Sequence, residues 1–156
     1  MNQNRNNIPE YCLFEIEDGI TNLDPVETGD IESYFYEIDP YFIAKTKLDE
    51  ISNLENNWDG YDSIKISENI LQIAHSFILC LSGDIIEQIS DIYPNSHGTI
   101  TIEWLNNMSE KFSLEIGNTK FSYFILYKNN EPKLVDGYDL LKHSREITKE
   151  ISTFLN

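Results

Sequence analysis

The sequence lacks several features that define common classes of enzyme. Only seven of its 156 residues are glycine, and neither a phosphate-cradling loop nor a G-x-G-x-x-G pattern occurs. The nucleophile-elbow pattern G-x-S-x-G is also missing, as are Cys/His pairs at metal-binding spacing. The sequence therefore predicts neither a cofactor nor a metal ion.

Cysteine and long apolar runs are scarce as well. The two cysteines, Cys12 and Cys80, have apolar neighbours, which favours buried free thiols over a disulfide framework. The longest apolar run, around Ile78–Leu81, is far shorter than a membrane span. The polar stretch Met1–Asn7 is not followed by the apolar core of a signal peptide. We therefore expect a cytoplasmic protein that does not bind a membrane.

Basic residues are few relative to acidic ones. Eleven Lys and Arg face 27 Asp and Glu, which gives a formal net charge of −16. Because this charge repels nucleic-acid phosphate and anionic lipid, direct binding of either is not expected. A basic protein partner, a cation or simple solubility is compatible with it.

The charge imbalance is concentrated near the amino terminus. No Lys or Arg lies between Arg5 and Lys45, whereas ten acids lie from Glu10 to Asp39. Carboxylates around aromatic anchors suit a basic partner, because aromatics act as binding hot spots and charges accelerate association. The alternative is a solvated face above aromatic core residues. The candidate partner-binding residues are Glu27, Asp30, Glu32, Tyr34, Tyr36, Glu37 and Asp39.

Hydrophobic periodicity predicts helices before residue 82 and at the carboxyl terminus. Ala44–Glu55 has apolar residues at helical spacing, and residues 68–81 carry a broad apolar face after Ser67, a favoured N-cap residue. Ser82-Gly83 is expected to end the second helix. A further helix is predicted over residues 138–156, and Ile89–Tyr93 fits either a strand or a short helix.

The pattern between residues 99 and 127 is that of a β-sheet. Thr99–Trp104 and Phe112–Ile116 each alternate apolar with polar residues, Lys120–Tyr127 is predicted as a third strand, and turn residues separate the three. We predict an α+β fold, with an antiparallel meander of about three to five strands packed against two to three helices. A single domain is expected, comprising a frayed tail (1–9), an acidic arm (10–43), a core (44–128) and the C-terminal helix.

Two segments, residues 57–61 and 97–104, each combine turn residues, a carboxylate and a tryptophan. In a structural interpretation, Asp59 closes a turn and Trp58 packs under the sheet with its indole N–H hydrogen-bonded. In a catalytic interpretation, Asp59 and Glu103 share a cleft with His97. Strand alternation places Glu103 on the polar face. The structural-motif residues are Asn57, Trp58, Asp59, Gly60, Gly98, Glu103 and Trp104.

These segments, together with residues 114–117, resemble a family of small bacterial proteins. The family has an Asn-Trp-Asp-Gly-Tyr-Gly-Ala-like motif and a later Asp-Gly-x-Ile-x-Leu-Glu-Trp-like strand. The resemblance covers roughly residues 45–125 and differs from the family pattern at Asp62-Ser63 and at His97. Family members are largely uncharacterised and are often associated with mobile elements and toxin–antitoxin-like loci. The resemblance implies a partner-binding role and carries over no catalytic residue.

Three functional hypotheses follow from the sequence. The first is a non-enzymatic, antitoxin- or inhibitor-like protein that binds a basic partner, such as a nuclease toxin or a nucleic-acid-binding effector. Its acidic aromatic surface would then imitate a nucleic acid. The second is a small hydrolase that uses Asp59, Glu103 and His97. The third is a structural or oligomeric scaffold, and the sequence does not fix an oligomeric state.

Overall fold

The structure is a computed structural model that describes residues 39–156, apart from the side chains of Leu140 and Leu141. The predictions for residues 1–38, including the tail, most of the acidic arm and Cys12, lie outside the described residues. Three helices come first in the described part of the chain: α1 (Pro40–Ser52), α2 (Glu68–Leu79) and α3 (Gly83–Glu87). Five strands and helix α4 (Leu140–Leu155) follow.

The strands form one antiparallel sheet in the order β1-β2-β3-β4-β5, so each strand pairs with its neighbour in the chain. The α+β prediction is confirmed, because this meander packs against helices. Antiparallel neighbours need only short turns, so residues 89–139 supply all five strands found in the described part of the chain. The strands are β1 (Ile89–Pro94), β2 (Ile100–Leu105), β3 (Lys111–Ile116), β4 (Lys120–Leu126) and β5 (Lys133–Asp139).

The helices begin where local capping chemistry is favourable. The side chain of Ser67 accepts a hydrogen bond from the backbone N–H of Ile70 at 3.4 Å, which confirms the predicted N-cap of α2. Helix α1 begins earlier than predicted, because Asp39 caps it and Pro40 takes the first position. Helix α2 ends at Leu79, two residues before the predicted end at residue 81, and Ser82 is the N-cap residue of the short helix α3, which begins at Gly83.

Strand β5 is the main element that the sequence did not predict. The predicted C-terminal helix included residues 138 and 139, but these close β5, and α4 begins at Leu140. Two features obscure the strand: Leu134 faces solvent, and Gly137 has a φ of +74° at the irregular pairing with β4. An edge strand with one exposed leucine and an internal glycine lacks clear alternation.

A single hydrophobic core lies between the helices and one face of the sheet. Trp104 is fully buried there, and its ring meets that of Phe112 edge-on, with centroids 5.9 Å apart. Its indole N–H donates to the carbonyl oxygen of Ile85 at 3.0 Å, which ties β2 to α3. Because its N–H is hydrogen-bonded, the indole ring buries a large apolar area without leaving a polar atom unpaired.

Cys80 occupies the C-cap position of α2 and is disulfide-bonded, so the expectation of a free thiol is wrong for this residue. Disulfides persist chiefly in oxidising compartments. The bond therefore gives no support to the predicted cytoplasmic location. None of the helices in residues 39–156 has the length and apolar character required to cross a membrane.

Candidate functional site

Ile64, which follows the first tryptophan-containing segment, contacts the turn that begins the second segment, just before β2. The backbone N–H of Ile64 donates to the carbonyl oxygen of Ser96 at 2.7 Å. Gly98 has a φ of +88°, and a β-carbon at this position would lie 3.3 Å from the Cγ2 atom of Ile64. Position 98 therefore requires glycine for two reasons: its backbone has positive φ, and Ile64 approaches it closely. The segments join the loop after α1 to the sheet.

Asp59 closes the turn within the first segment. Its Oδ1 atom accepts hydrogen bonds from the backbone N–H of Tyr61 at 2.8 Å and of Ser63 at 3.4 Å. The bond from Tyr61 holds the pKa of Asp59 below its usual range. This is the geometry of an Asx turn. Gly60, with a φ of +79°, completes the turn.

The two tryptophans differ in how their indole N–H groups are placed. Trp104 donates to Ile85, as described above. The Nε1 atom of Trp58 is buried and has no hydrogen-bond partner among residues 39–156. The expectation that its N–H is bonded therefore finds no support in the described part of the chain. A buried donor without a partner lowers stability by about 1–3 kcal/mol.

We call the side of the sheet that faces away from the helices the outer face. The described helices pack on the opposite side, where their buried residues join the core. Strand pairing brings the outer-face residues into rows that run across the sheet. They are Asp91, Tyr93, Thr101, Glu103, Leu105, Lys111, Ser113, Glu115, Ser122, Phe124, Leu126, Leu134 and Asp136.

Glu103 lies on this face, as strand alternation predicted, and its carboxylate is held by three donors. Tyr93 Oη donates to Oε1 at 2.9 Å, Ser113 Oγ donates to Oε1 at 2.8 Å, and Lys111 Nζ contacts Oε2 at 2.9 Å. Burial acts to raise the pKa of Glu103, but hydrogen bonds from Lys111, Ser113 and Tyr93 outweigh it and lower the pKa. A general base works best with a pKa near the operating pH. Glu103 is instead an ionised, structurally paired carboxylate.

His97 contacts Glu115 rather than either of the other candidate catalytic residues. Its Nε2 atom lies 2.7 Å from Glu115 Oε1 and 3.0 Å from Thr99 Oγ1, and Thr99 donates to the same carboxylate oxygen at 2.7 Å. A hydroxyl–imidazole–carboxylate relay needs the hydroxyl and the carboxylate on different ring nitrogens. Here both meet Nε2, so the cluster orients side chains without forming a relay.

The electrostatics of Glu115 involve a second carboxylate. Burial and, to a smaller extent, the charge of Asp136 act to raise the pKa of Glu115, whereas hydrogen bonds from His97 and Thr99 lower it overall. Ser122 lies between the two carboxylates: it pairs with Glu115 across β3 and β4, and its Oγ donates to Asp136 at 2.5 Å. The two negative charges therefore repel across one row of the outer face.

Within residues 39–156, no hydrogen bond joins any two of Asp59, Glu103 and His97 directly. Glu103 is connected to His97 through hydrogen bonds of the intervening side chains Tyr93, Thr101, Asn95 and Thr99. In the same part of the chain, no three His, Cys, Asp or Glu side chains lie close enough together to hold a metal ion. A cleft of about 240 Å³ lies between α1 and β1, lined by Ile43 and Ile89 among others, and none of the three residues lines it. Small-molecule sites are typically larger, at about 300–1,000 Å³.

Of the seven candidate partner-binding residues, only Asp39 is described. Its Oδ1 atom accepts a hydrogen bond from the backbone N–H of Tyr41 at 2.9 Å, so it is the N-cap of α1. The other six, in the list given above, lie outside the described residues. Asp39 therefore has a local structural role that any test of partner binding must preserve.

Sequence reasoning missed the apolar part of the outer face. Phe124 and Leu134 pair directly across β4 and β5, and Leu126 follows Phe124 on the same face. Leu134 is 69% exposed and Leu126 48% exposed. Residues 123–127 are all apolar or aromatic, so the sequence did not show which of them face away from the core, and the contribution of Leu134 required β5. We call Phe124, Leu126 and Leu134 the apolar patch.

Known proteins add no function to this geometry. The chain matches no protein-family model, no curated protein and no solved structure. The resemblance to a family of small bacterial proteins therefore stays a prediction from the sequence. The arrangement of the outer face and the distribution of charge are the remaining evidence on function.

Proposed function

We propose that the protein is a non-enzymatic binding protein, antitoxin- or inhibitor-like, that engages a basic protein partner. The observation that carries the proposal is the distribution of carboxylates. Residues 1–38 contain nine acids and one base, and residues 39–156 contain eighteen acids and ten bases, so each part has a net charge of −8. Residues 1–38, about a quarter of the chain, thus carry half of its net negative charge.

The acidic aromatic stretch from Glu27 to Asp39 is the proposed contact. Its carboxylates steer a basic partner toward the surface, and its tyrosines provide anchors that bury apolar area. A nuclease toxin or a nucleic-acid-binding effector is a suitable partner, because its lysines and arginines already bind an array of negative charges. The resemblance to a family near toxin–antitoxin-like loci favours the same kind of partner.

The contacts of the described residues do not favour the hydrolase alternative. Asp59 closes a turn, Glu103 is paired with Lys111, and His97 contacts Glu115. Because each group is held by a different neighbour, the contacts of residues 39–156 do not bring the three groups together around a substrate. As part of the same proposal, we place the protein in the cytoplasm, because partners of this kind act where nucleic acid is found. Cell fractionation tests this location.

Capture from the source cells tests this proposal. The immobilised chain is exposed to lysate at low ionic strength and eluted with rising salt, and the retained proteins are identified. We expect one or more basic proteins that elute as salt screens the charges. Retention of only acidic or neutral proteins, or a complex that is insensitive to salt, would overturn the proposal.

A further inference from the structure

We infer that the outer face is a second docking surface, on which the apolar patch and the neighbouring carboxylates bind an extended basic segment of the partner. This inference rests on the proposed function. The segment must present an apolar side chain and a lysine or arginine on one side of an extended backbone. Glu115 and Asp136 are the carboxylates that receive the cation.

The apolar patch supplies the first half of this surface. Phe124 and Leu134 are directly paired on adjacent strands, so their side chains are about 5 Å apart at the β-carbons. Leu126 lies two residues farther along β4 on the same face. Three large apolar side chains are thus adjacent on the face opposite the described helices; Leu126 and Leu134 are exposed, and Phe124 is half-buried. Adjacent exposed apolar residues of this kind mark binding sites more often than scattered ones do.

The next row of the sheet supplies the second half. Glu115, Ser122 and Asp136 cross β3, β4 and β5, one row away from the pair formed by Phe124 and Leu134. Rows on one face are separated by two residues, or about 7 Å along a strand. The same spacing separates alternate side chains of an extended peptide. A peptide aligned with β4 therefore places its apolar and basic residues over the two rows at once.

Charge complementarity selects a basic occupant over a second copy of this chain. Two copies each carry a net charge of −16, so their outer faces repel. Glu115 and Asp136 also repel one another, and a cation placed between them relieves this repulsion. Lys111 does not neutralise them, because its ammonium group is bound to Glu103 in a different row. His97 and Thr99 contact Oε1 of Glu115, so the cation of the partner is placed at Asp136 and at Oε2 of Glu115. A cation from the partner fits this position.

A designed peptide tests the inference. The probe is a synthetic peptide in which serine alternates with leucine and arginine, so that each leucine is followed two residues later by an arginine. Its binding is measured by titration calorimetry, and the contact is mapped from backbone amide shifts in nuclear magnetic resonance spectra. Leu134→Ser removes part of the apolar patch, and Asp136→Asn removes one carboxylate. Leu79→Ser is the matched control, because Leu79 is 55% exposed on α2.

We expect Leu134→Ser to weaken binding at least about tenfold, the effect of losing one hot-spot side chain. Asp136→Asn should weaken it at low salt, and Leu79→Ser should leave it unchanged. Leu126→Ser is a second test of the apolar patch should Leu134→Ser disturb β5. The circular dichroism spectrum shows whether each variant keeps its fold.

The remaining outcomes separate the two proposals. Binding that survives all three outer-face changes, with amide shifts elsewhere, overturns the outer face as a docking surface but leaves a basic partner in place. Failure of the unmodified chain to bind the peptide, while it still captures a basic protein, likewise overturns the outer-face inference alone. If the unmodified chain binds neither the peptide nor a basic protein from the lysate, the proposed function is overturned as well.

Discussion

Gly98 and Ile64 pack so closely that a single methyl group on Gly98 would lie 3.3 Å from the Cγ2 atom of Ile64. This contact joins the loop after α1 to the turn that leads into β2, and the hydrogen bond from Ile64 to Ser96 reinforces it. The loop that carries the first motif segment is therefore joined to the turn that begins the second. The contacts described for Asp59, Glu103 and Trp104 in these segments are structural: a turn, an ion pair and a core position.

Replacing Gly98 with alanine should destabilise the protein more than the same change at Gly60. Both glycines have positive φ, so both alanines are strained by about 1–2 kcal/mol. No atom lies within 4 Å of a β-carbon at Gly60, whereas Gly98 faces Ile64. The close contact should add about 1 kcal/mol or more to the loss. Urea denaturation of the two variants measures both values, and equal losses would show that the Ile64 contact has no energetic weight.

The two tryptophans should respond differently to phenylalanine. Trp104→Phe removes the hydrogen bond to the carbonyl of Ile85 and leaves space in the core, so we expect a loss of about 1–3 kcal/mol. Trp58→Phe removes an N–H that has no partner among residues 39–156, so the loss should be smaller. Thermal or urea unfolding gives the comparison. A larger loss at Trp58 would indicate that its indole N–H is bonded after all.

The carboxylate of Glu103 should make stability depend on pH. Its pKa is lowered in the folded protein from an ordinary value of 4.5, so its contribution is complete above that pH and is lost as the pH falls through the folded value. Glu103→Gln keeps the shape and loses the charged bond to Lys111, which contributes about 1–3 kcal/mol. The difference in unfolding free energy between the wild type and Glu103→Gln should therefore be larger at about pH 6 than at about pH 3. A difference that is constant across this range would contradict the assignment of Glu103 as an ionised, paired group.

Asp39 should show a structural effect that is separable from partner binding. Because its side chain caps α1, Asp39→Ala should lower stability by about 1 kcal/mol, whereas Asp39→Asn should be nearly neutral since asparagine also caps helices. Unfolding measurements on the two variants test this. Comparable losses from both would mean that the carboxylate charge matters more than the cap.

Local chemistry made several elements predictable. Ser67 before an apolar helical stripe gives α2, and the alternation of Ile100, Ile102 and Trp104 gives β2. The pair Asp39-Pro40, an N-cap residue followed by proline, is the local signal for the start of α1. Strand β5 was not predictable in the same way. It forms a strand because it pairs with β4, and its own sequence lacks a clear apolar–polar alternation.

The candidate site was predictable only in part. Alternation placed Glu103 on the polar face, but its partner Lys111 comes from β3 and depends on the register of the β2–β3 hairpin. The contact between His97 and Glu115 depends on the same register. A sequence gives the residues of each strand, whereas register is set by turn geometry and core packing together. The apolar patch additionally required β5.

The most direct test of the central claim is the rate of association with the captured partner as ionic strength rises. The test variant reverses Glu27, Asp30, Glu32 and Glu37 to lysine and carries Asp39→Asn, so that the cap of α1 is kept. The control reverses four exposed carboxylates elsewhere, at Glu50, Glu87, Glu131 and Glu146.

Electrostatic steering predicts that the wild type associates fastest at low salt and slows steeply as salt is added. The test variant should associate at least about tenfold more slowly at low salt and show a shallow dependence, whereas the control should remain close to the wild type. Equal rates for the test and control variants would contradict the claim that the acidic aromatic stretch binds a basic partner.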